Sequence, residues 1–124
     1  CAAVALDEHR IMIAGGLSDL GCLKTTEILD IRTMAFAPGP SMSSARWSCA
    51  AVSVDAQHVL VIGGRDLSGT ASATTELLDV AMMEFELGPT MQTGRSGFAA
   101  ARVDTTQGPR ILVLGGDNDG SWST

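Results

Sequence analysis

The residues best suited to chemistry in this chain recur at one offset. Glu27 recurs as Glu76 and Arg46 as Arg95, each 49 residues later. A guanidinium and a carboxylate form a strong charge-assisted pair. A shared offset implies a duty inside a repeated structure. Each arginine is therefore expected to contact a carboxylate or a backbone carbonyl, with Glu27 and Glu76 as the carboxylate candidates. A buried pair of this kind fixes register more than it adds net stability. The functional alternative is that both arginines face a ligand.

Other reactive types lack workable spacing. His9 and His58 have no cysteine or histidine four residues away and read as turn residues, not zinc ligands. Asp117-Asn118-Asp119-Gly120 lacks the further acids that a calcium loop needs at its start and its twelfth position. It reads as a polar loop. Cys1 and Cys49 fall at equivalent places and read as small buried side chains. Cys22 reads as the one exposed thiol, with only Lys24 basic beside it. Nucleophile-elbow, phosphate-loop and dinucleotide motifs are absent from the sequence. The expectation is a non-catalytic chain that uses no metal and no cofactor.

The elements that position these residues follow from a repeat across the chain. Thr25-Thr26-Glu27-Ile28-Leu29-Asp30 returns as Thr74-Thr75-Glu76-Leu77-Leu78-Asp79, Phe36 as Phe85, and Gly39-Pro40-Ser41-Met42 as Gly88-Pro89-Thr90-Met91. Cys1-Ala2-Ala3, Cys49-Ala50-Ala51 and Phe98-Ala99-Ala100 form a third series. The doublets Gly15-Gly16, Gly63-Gly64 and Gly115-Gly116 are 48 and then 52 residues apart, the excess lying in Asp104–Arg110. Each unit reads as four short strands. In the second unit these are Cys49–Val54, Val59–Ile62, Thr75–Val80 and Met83–Leu87. The apolar run ending at a glycine doublet suits a strand buried on both faces. No apolar pattern holds a period of 3.6, so the prediction is all-β.

A repeat of about 50 residues with four strands is the sequence form of a propeller blade. These residues resemble the kelch repeat, which has a glycine doublet after its second strand, an acid closing its third, and an aromatic six residues later. Gly15-Gly16, Asp30 and Phe36 fit, as do Gly63-Gly64, Asp79 and Phe85. Leu29 and Leu78 stand where kelch units carry tyrosine, and Phe36 and Phe85 where they carry tryptophan. The resemblance implies kelch-type β-propeller blades of four antiparallel strands in an incomplete ring. Blade one would run from 1 to about 38, blade two from about 46 to 88, and a half blade from about 97 to 115. Propellers hold about four to eight blades, so the count predicts a segment of a longer protein. Within a ring, the ligand-facing alternative for the arginines would place them at the channel mouth.

Composition narrows the partners. The 124 residues carry a net charge of −6 without a basic stripe, which argues against nucleic acid. No apolar run reaches the roughly 20 residues of a spanning helix, so membrane insertion is not expected. Three cysteines without a CxxC pair suggest free thiols and an intracellular, cytoplasmic setting. Strand parity gathers residues 17–24, 38–47, 65–73, 88–96 and 117–124 on one side. Varied loops on a rigid scaffold are where recognition resides. Asp19, Lys24, Trp47, Arg65, Asp66 and Trp122 are the partner-binding candidates there. The resemblance implies a protein-interaction scaffold that binds a protein or peptide, completed by the remaining blades of its parent chain or by a neighbouring subunit. The alternatives are a structural subunit of a larger assembly, or part of a catalytic propeller such as a sugar isomerase or oxidase.

Overall fold

A computed structural model describes residues 1–119 together with the backbone of Ser121 and Trp122. The described residues form short strands and no helix. The first unit contains β1 (Ala2–Ala5), β2 (Arg10–Ala14), β3 (Leu17–Ser18), β4 (Gly21–Cys22), β5 (Thr26–Asp30) and β6 (Ala35–Pro38). Its main sheet is antiparallel in the order β1-β2-β5-β6. The second unit contains β7 (Ala50–Ser53), β8 (His58–Ile62), β9 (Thr75–Asp79) and β10 (Glu84–Leu87), again antiparallel and in chain order. β11 (Ala99–Thr105) and β12 (Gly108–Leu114) form a third, two-stranded sheet. β13 (Asp117–Asn118) and β14 (Ser121–Trp122) form a small hairpin after it.

The strand ends differ from the sequence reading by one residue or so, and the loop after β2 differs in kind. It is not plain loop, because β3 and β4 pair within it. Two-residue strands cannot display an apolar alternation, so the sequence shows no trace of them. The extra residues in Asp104–Arg110 lengthen the third hairpin, whose strands have seven residues each.

The repeated acid at the end of the third strand has a local cause. The Asp30 carboxylate accepts the Arg32 N–H at 2.9 Å, and that of Asp79 accepts the Ala81 and Met82 N–H groups at 2.9 and 3.0 Å. This is the turn-forming habit of aspartate. Each turn then passes through a left-handed methionine, Met34 at φ 56° and Met83 at φ 54°.

The sheets stack face to face, with β7 beside β1 on one side and β11 on the other. Met12 and Ala14 of the first sheet pack with Val59, Val61, Leu78 and Val80 of the second, and Met42 of the connection joins them. The intervening β8 residues Leu60 and Ile62 turn to the opposite face, where they line a depression shared with Ile111 and Val113 of β12. A strand covered on both faces must be apolar at every position, which accounts for the run Val59–Ile62. Each such side chain contributes about 1.5–3 kcal/mol on burial.

The second glycine of the doublet that ends β8 packs against the residues that lead into β7. A Cβ on Gly64 would lie 2.9 Å from the Cys49 Cβ and 2.8 Å from the Trp47 carbonyl oxygen. Only glycine fits there, at φ +89°.

Candidate interaction surface and the arginine joints

The connection from β6 to β7 is tied to the first sheet by its backbone. Thr26 Oγ1 donates to the Pro40 carbonyl at 2.7 Å, and the Met42 N–H donates to the Lys24 carbonyl at 2.8 Å. The Arg46 N–H donates to the Leu23 carbonyl at 2.9 Å, while the Arg46 carbonyl accepts the Gly16 N–H at 2.7 Å. The arginine side chain leaves this sheet and enters the next one. Its Nη1 donates to the Gly63 and Thr74 carbonyls, both at 2.9 Å, and its Nη2 donates to Thr74 Oγ1 at 2.8 Å. Its Nε donates to Glu76 Oε2 at 3.1 Å. Glu76 Oε1 also accepts the Ser43 N–H at 2.6 Å. Both side chains are 1% exposed.

Arg95 repeats the pattern one sheet further on. Its N–H donates to the Ser72 carbonyl at 3.1 Å, and its own carbonyl accepts the Gly64 N–H at 2.8 Å. Its Nη1 donates to the Gly115 carbonyl at 2.7 Å, the counterpart of Gly63. Of the two carboxylates expected to meet an arginine, Glu76 does so and Glu27 does not. Glu27 is exposed on the outer face of the first sheet, because each arginine reaches forward to the following unit.

The remaining candidates lie among the connections gathered on one side. Arg65 is committed internally: its guanidinium bonds the Asp117 carboxylate and the Gly69 carbonyl, and Asp119 Oδ1 at 3.2 Å. It also lies 5.9 Å from the centroid of the Trp47 ring, within cation–π range. The loop Asp117–Asp119 is therefore not merely solvated. It fastens the third unit to the second. Asp66 organises its own turn, accepting the Ser68 and Thr70 N–H groups at 2.9 and 3.0 Å. The Ser68 side chain, first among these hydrogen bonds, holds the Asp66 carboxyl below its ordinary range. Asp19 and Lys24 are exposed. The Trp122 side chain lies outside the described residues.

A depression of about 630 Å³ brings Lys24 and Asp66 together, with Cys22, Ser43, Ser44 and Leu67 in its walls. Asp19 is not among its lining residues. Leu67 is 77% exposed, and Leu20, at the turn between β3 and β4, is 99% exposed. The sequence reading missed both leucines. Their signal was a large apolar residue at the tip of a polar loop.

The cysteines need two corrections, since the sequence suggests an exposed thiol for Cys22 and a buried one for Cys1. Cys22 is half-buried, and Cys1 is the exposed thiol. The Cys22 Sγ points at the Arg65 carbonyl, 3.6 Å away, because β4 draws it under the neighbouring loop. Burial, reinforced by the Asp66 charge, pushes the Cys22 thiol pKa up. Burial does the same for Cys49. His58 is bonded locally, its Nδ1 lying 3.0 Å from the Asp55 carboxylate.

No protein-family model matches the chain, and no curated protein matches it. Among the described residues, no helix is long and apolar enough to cross a membrane.

Proposed function

We propose that this chain is part of a kelch-type β-propeller and serves as a non-catalytic scaffold that binds a protein or peptide through its connecting loops. The landmark residues carry the kelch resemblance, and the stacking of repeated antiparallel sheets supports the propeller reading. One observation carries the binding role. The depression walled by Lys24, Ser43, Asp66 and Leu67 combines opposite charges, hydroxyls and an exposed leucine on a rigid base. Interfaces combine an apolar centre with a polar rim in this way.

A site-specific photo-crosslinker tests the reading. Placed at position 67 or 24, it should capture the same protein from cell extract. Placed at position 56, in the turn between β7 and β8 on the opposite side, it should capture none of that protein. Equal capture at all three positions defeats the proposal.

A further inference from the structure

The depression between the loops of the first two units holds two unlike charges that form no ion pair with each other. Lys24 and Asp66 both line it, and its volume is about 630 Å³. Ligand sites commonly run from about 300 to 1,000 Å³. Among the described residues, the Lys24 ammonium makes no ion pair and no hydrogen bond. Asp66 is divided between two tasks. Its Oδ1 accepts the Ser68 N–H at 2.9 Å, the Ser68 hydroxyl at 2.7 Å and the Thr70 N–H at 3.0 Å. These donors saturate that oxygen and fix the plane of the carboxylate, while Oδ2 accepts none of them. The Ser43 and Ser44 hydroxyls are exposed in the same wall, without a bonded partner among the described residues. The base beneath is tied from several sides. The Cys22 Sγ lies 3.6 Å from the Arg65 carbonyl, the Met42 N–H donates to the Lys24 carbonyl at 2.8 Å, and the Ser43 N–H donates to Glu76 at 2.6 Å. Every wall belongs to the first or second unit, both of which carry a full four-stranded sheet.

We propose that this depression, within the loop surface assigned above to a protein partner and resting on that reading, receives an extended peptide segment that carries one lysine and one acidic side chain. The lysine ammonium bonds Asp66 Oδ2, and the acid meets Lys24. The single open oxygen selects lysine. Arginine's advantage is a rigid fork that grips both oxygens of a carboxylate, and here one oxygen is already taken. An ammonium needs one acceptor, and its stem covers apolar surface. Leu67, next to Asp66 in sequence and 77% exposed in the same depression, offers that surface. The two serine hydroxyls, each a donor and an acceptor, answer the N–H and C=O groups of the peptide backbone. The net charge of −6 draws in a basic segment, and Lys24 admits an acid at one place along it. A free amino acid carries both charges but would leave Leu67 bare.

The test titrates end-blocked hexapeptides into the isotope-labelled 124-residue chain and follows backbone amide shifts. Each peptide carries one lysine and one glutamate in an alanine background, and the set covers every spacing. At least one spacing should give saturable shifts at Lys24, Ser43, Ser44 and Leu67. Asp66→Asn keeps an oxygen to organise the turn, so the Ser68 and Thr70 amides should hold their positions. It should nevertheless weaken binding roughly tenfold, as loss of a hydrogen bond to a charged group does. Lys24→Gln, on an exposed side chain outside that turn, is the second variant and should also weaken binding. Arginine in place of the peptide lysine should do the same. Undiminished binding by either variant, an arginine peptide or free lysine that binds at least as tightly, or no response at millimolar peptide would each overturn the proposal. The photo-crosslinker at position 67 decides the scaffold reading separately. Capture of a protein that Asp66→Asn leaves undiminished would reject the lysine-and-acid chemistry while keeping the binding surface.

Discussion

Arg46, in the connection from β6 to β7, and Glu76 of β9 bury each other almost completely. The arginine's backbone is hydrogen-bonded to the first unit and its guanidinium to the second. Removing one member strands a buried charge. Arg46→Met should therefore cost roughly 3–5 kcal/mol, whereas the double variant Arg46→Met with Glu76→Met should cost less than the two single changes combined. Urea unfolding of the three variants measures this. A loss for Arg46→Met below about 1 kcal/mol, the worth of a surface pair, would contradict the joint.

The same substitution should behave differently in the two copies of the repeat. Glu76→Gln should lower the melting temperature clearly. Glu27→Gln should leave stability within about 0.5 kcal/mol, as surface changes do. Comparable losses at both sites would mean that Glu27 has a structural partner in the isolated chain.

Gly15 separates the cost of backbone strain from that of crowding. It sits at φ +65°, and a methyl there would overlap the Arg46 carbonyl. Gly21 sits at φ +114° with nothing within 4 Å of an added Cβ. Gly21→Ala should cost about 1–3 kcal/mol from strain alone, and Gly15→Ala appreciably more. Thermal unfolding of the two variants ranks them, and the reverse order would be incompatible with the observed packing.

Thiol labelling should follow exposure and not position in the repeat. At pH 7.5 an alkylating reagent should modify Cys1 first, then Cys22, and Cys49 only on unfolding. The raised pKa values of Cys22 and Cys49 withhold the thiolate until the pH climbs past its ordinary value of 9.0. Peptide mapping after timed quenching reads the order. Early modification of Cys49 would show that the first and second sheets separate readily.

Acid should unfold the chain through its turns. Asp30, Asp55 and Asp66 all have carboxyl groups held below the usual carboxylate range, chiefly by the Arg32 side chain, the Gln57 backbone N–H and the Ser68 side chain respectively. A depressed folded-state pKa adds stability that is full above the unfolded value and is lost as pH falls through the folded one. Stability should hold above about pH 5 and fall below pH 4. Replacing all three residues by asparagine should flatten that decline, as followed by circular dichroism. An unchanged acid limb would assign it to other carboxylates.

The strands were legible because their landmarks repeat, and Val59–Ile62 announced a strand covered on both faces. The pairing of Arg46 was half legible. A common offset showed that the residue has a partner, but Glu27 lies 19 residues before it and Glu76 30 after. Only the stacking order of the sheets chooses between them. The contacts of Arg65 with Asp117 and Asp119 were not legible, because they join loops whose sequences do not repeat. Nor were the left-handed Met34 and Met83, where no glycine or asparagine marks the turn.

Arg46 of the first unit fastens the second, and Arg95 of the second unit fastens the third. Donor and acceptor thus travel together in any stretch of about 49 residues copied as a block. A gene segment of that length could be duplicated or lost and each arginine would still meet its socket, because the joint is specified by nearest neighbours alone. The arginine joint recurs from one junction to the next, while the Arg65 clasp on Asp117 and Asp119 belongs to the second junction.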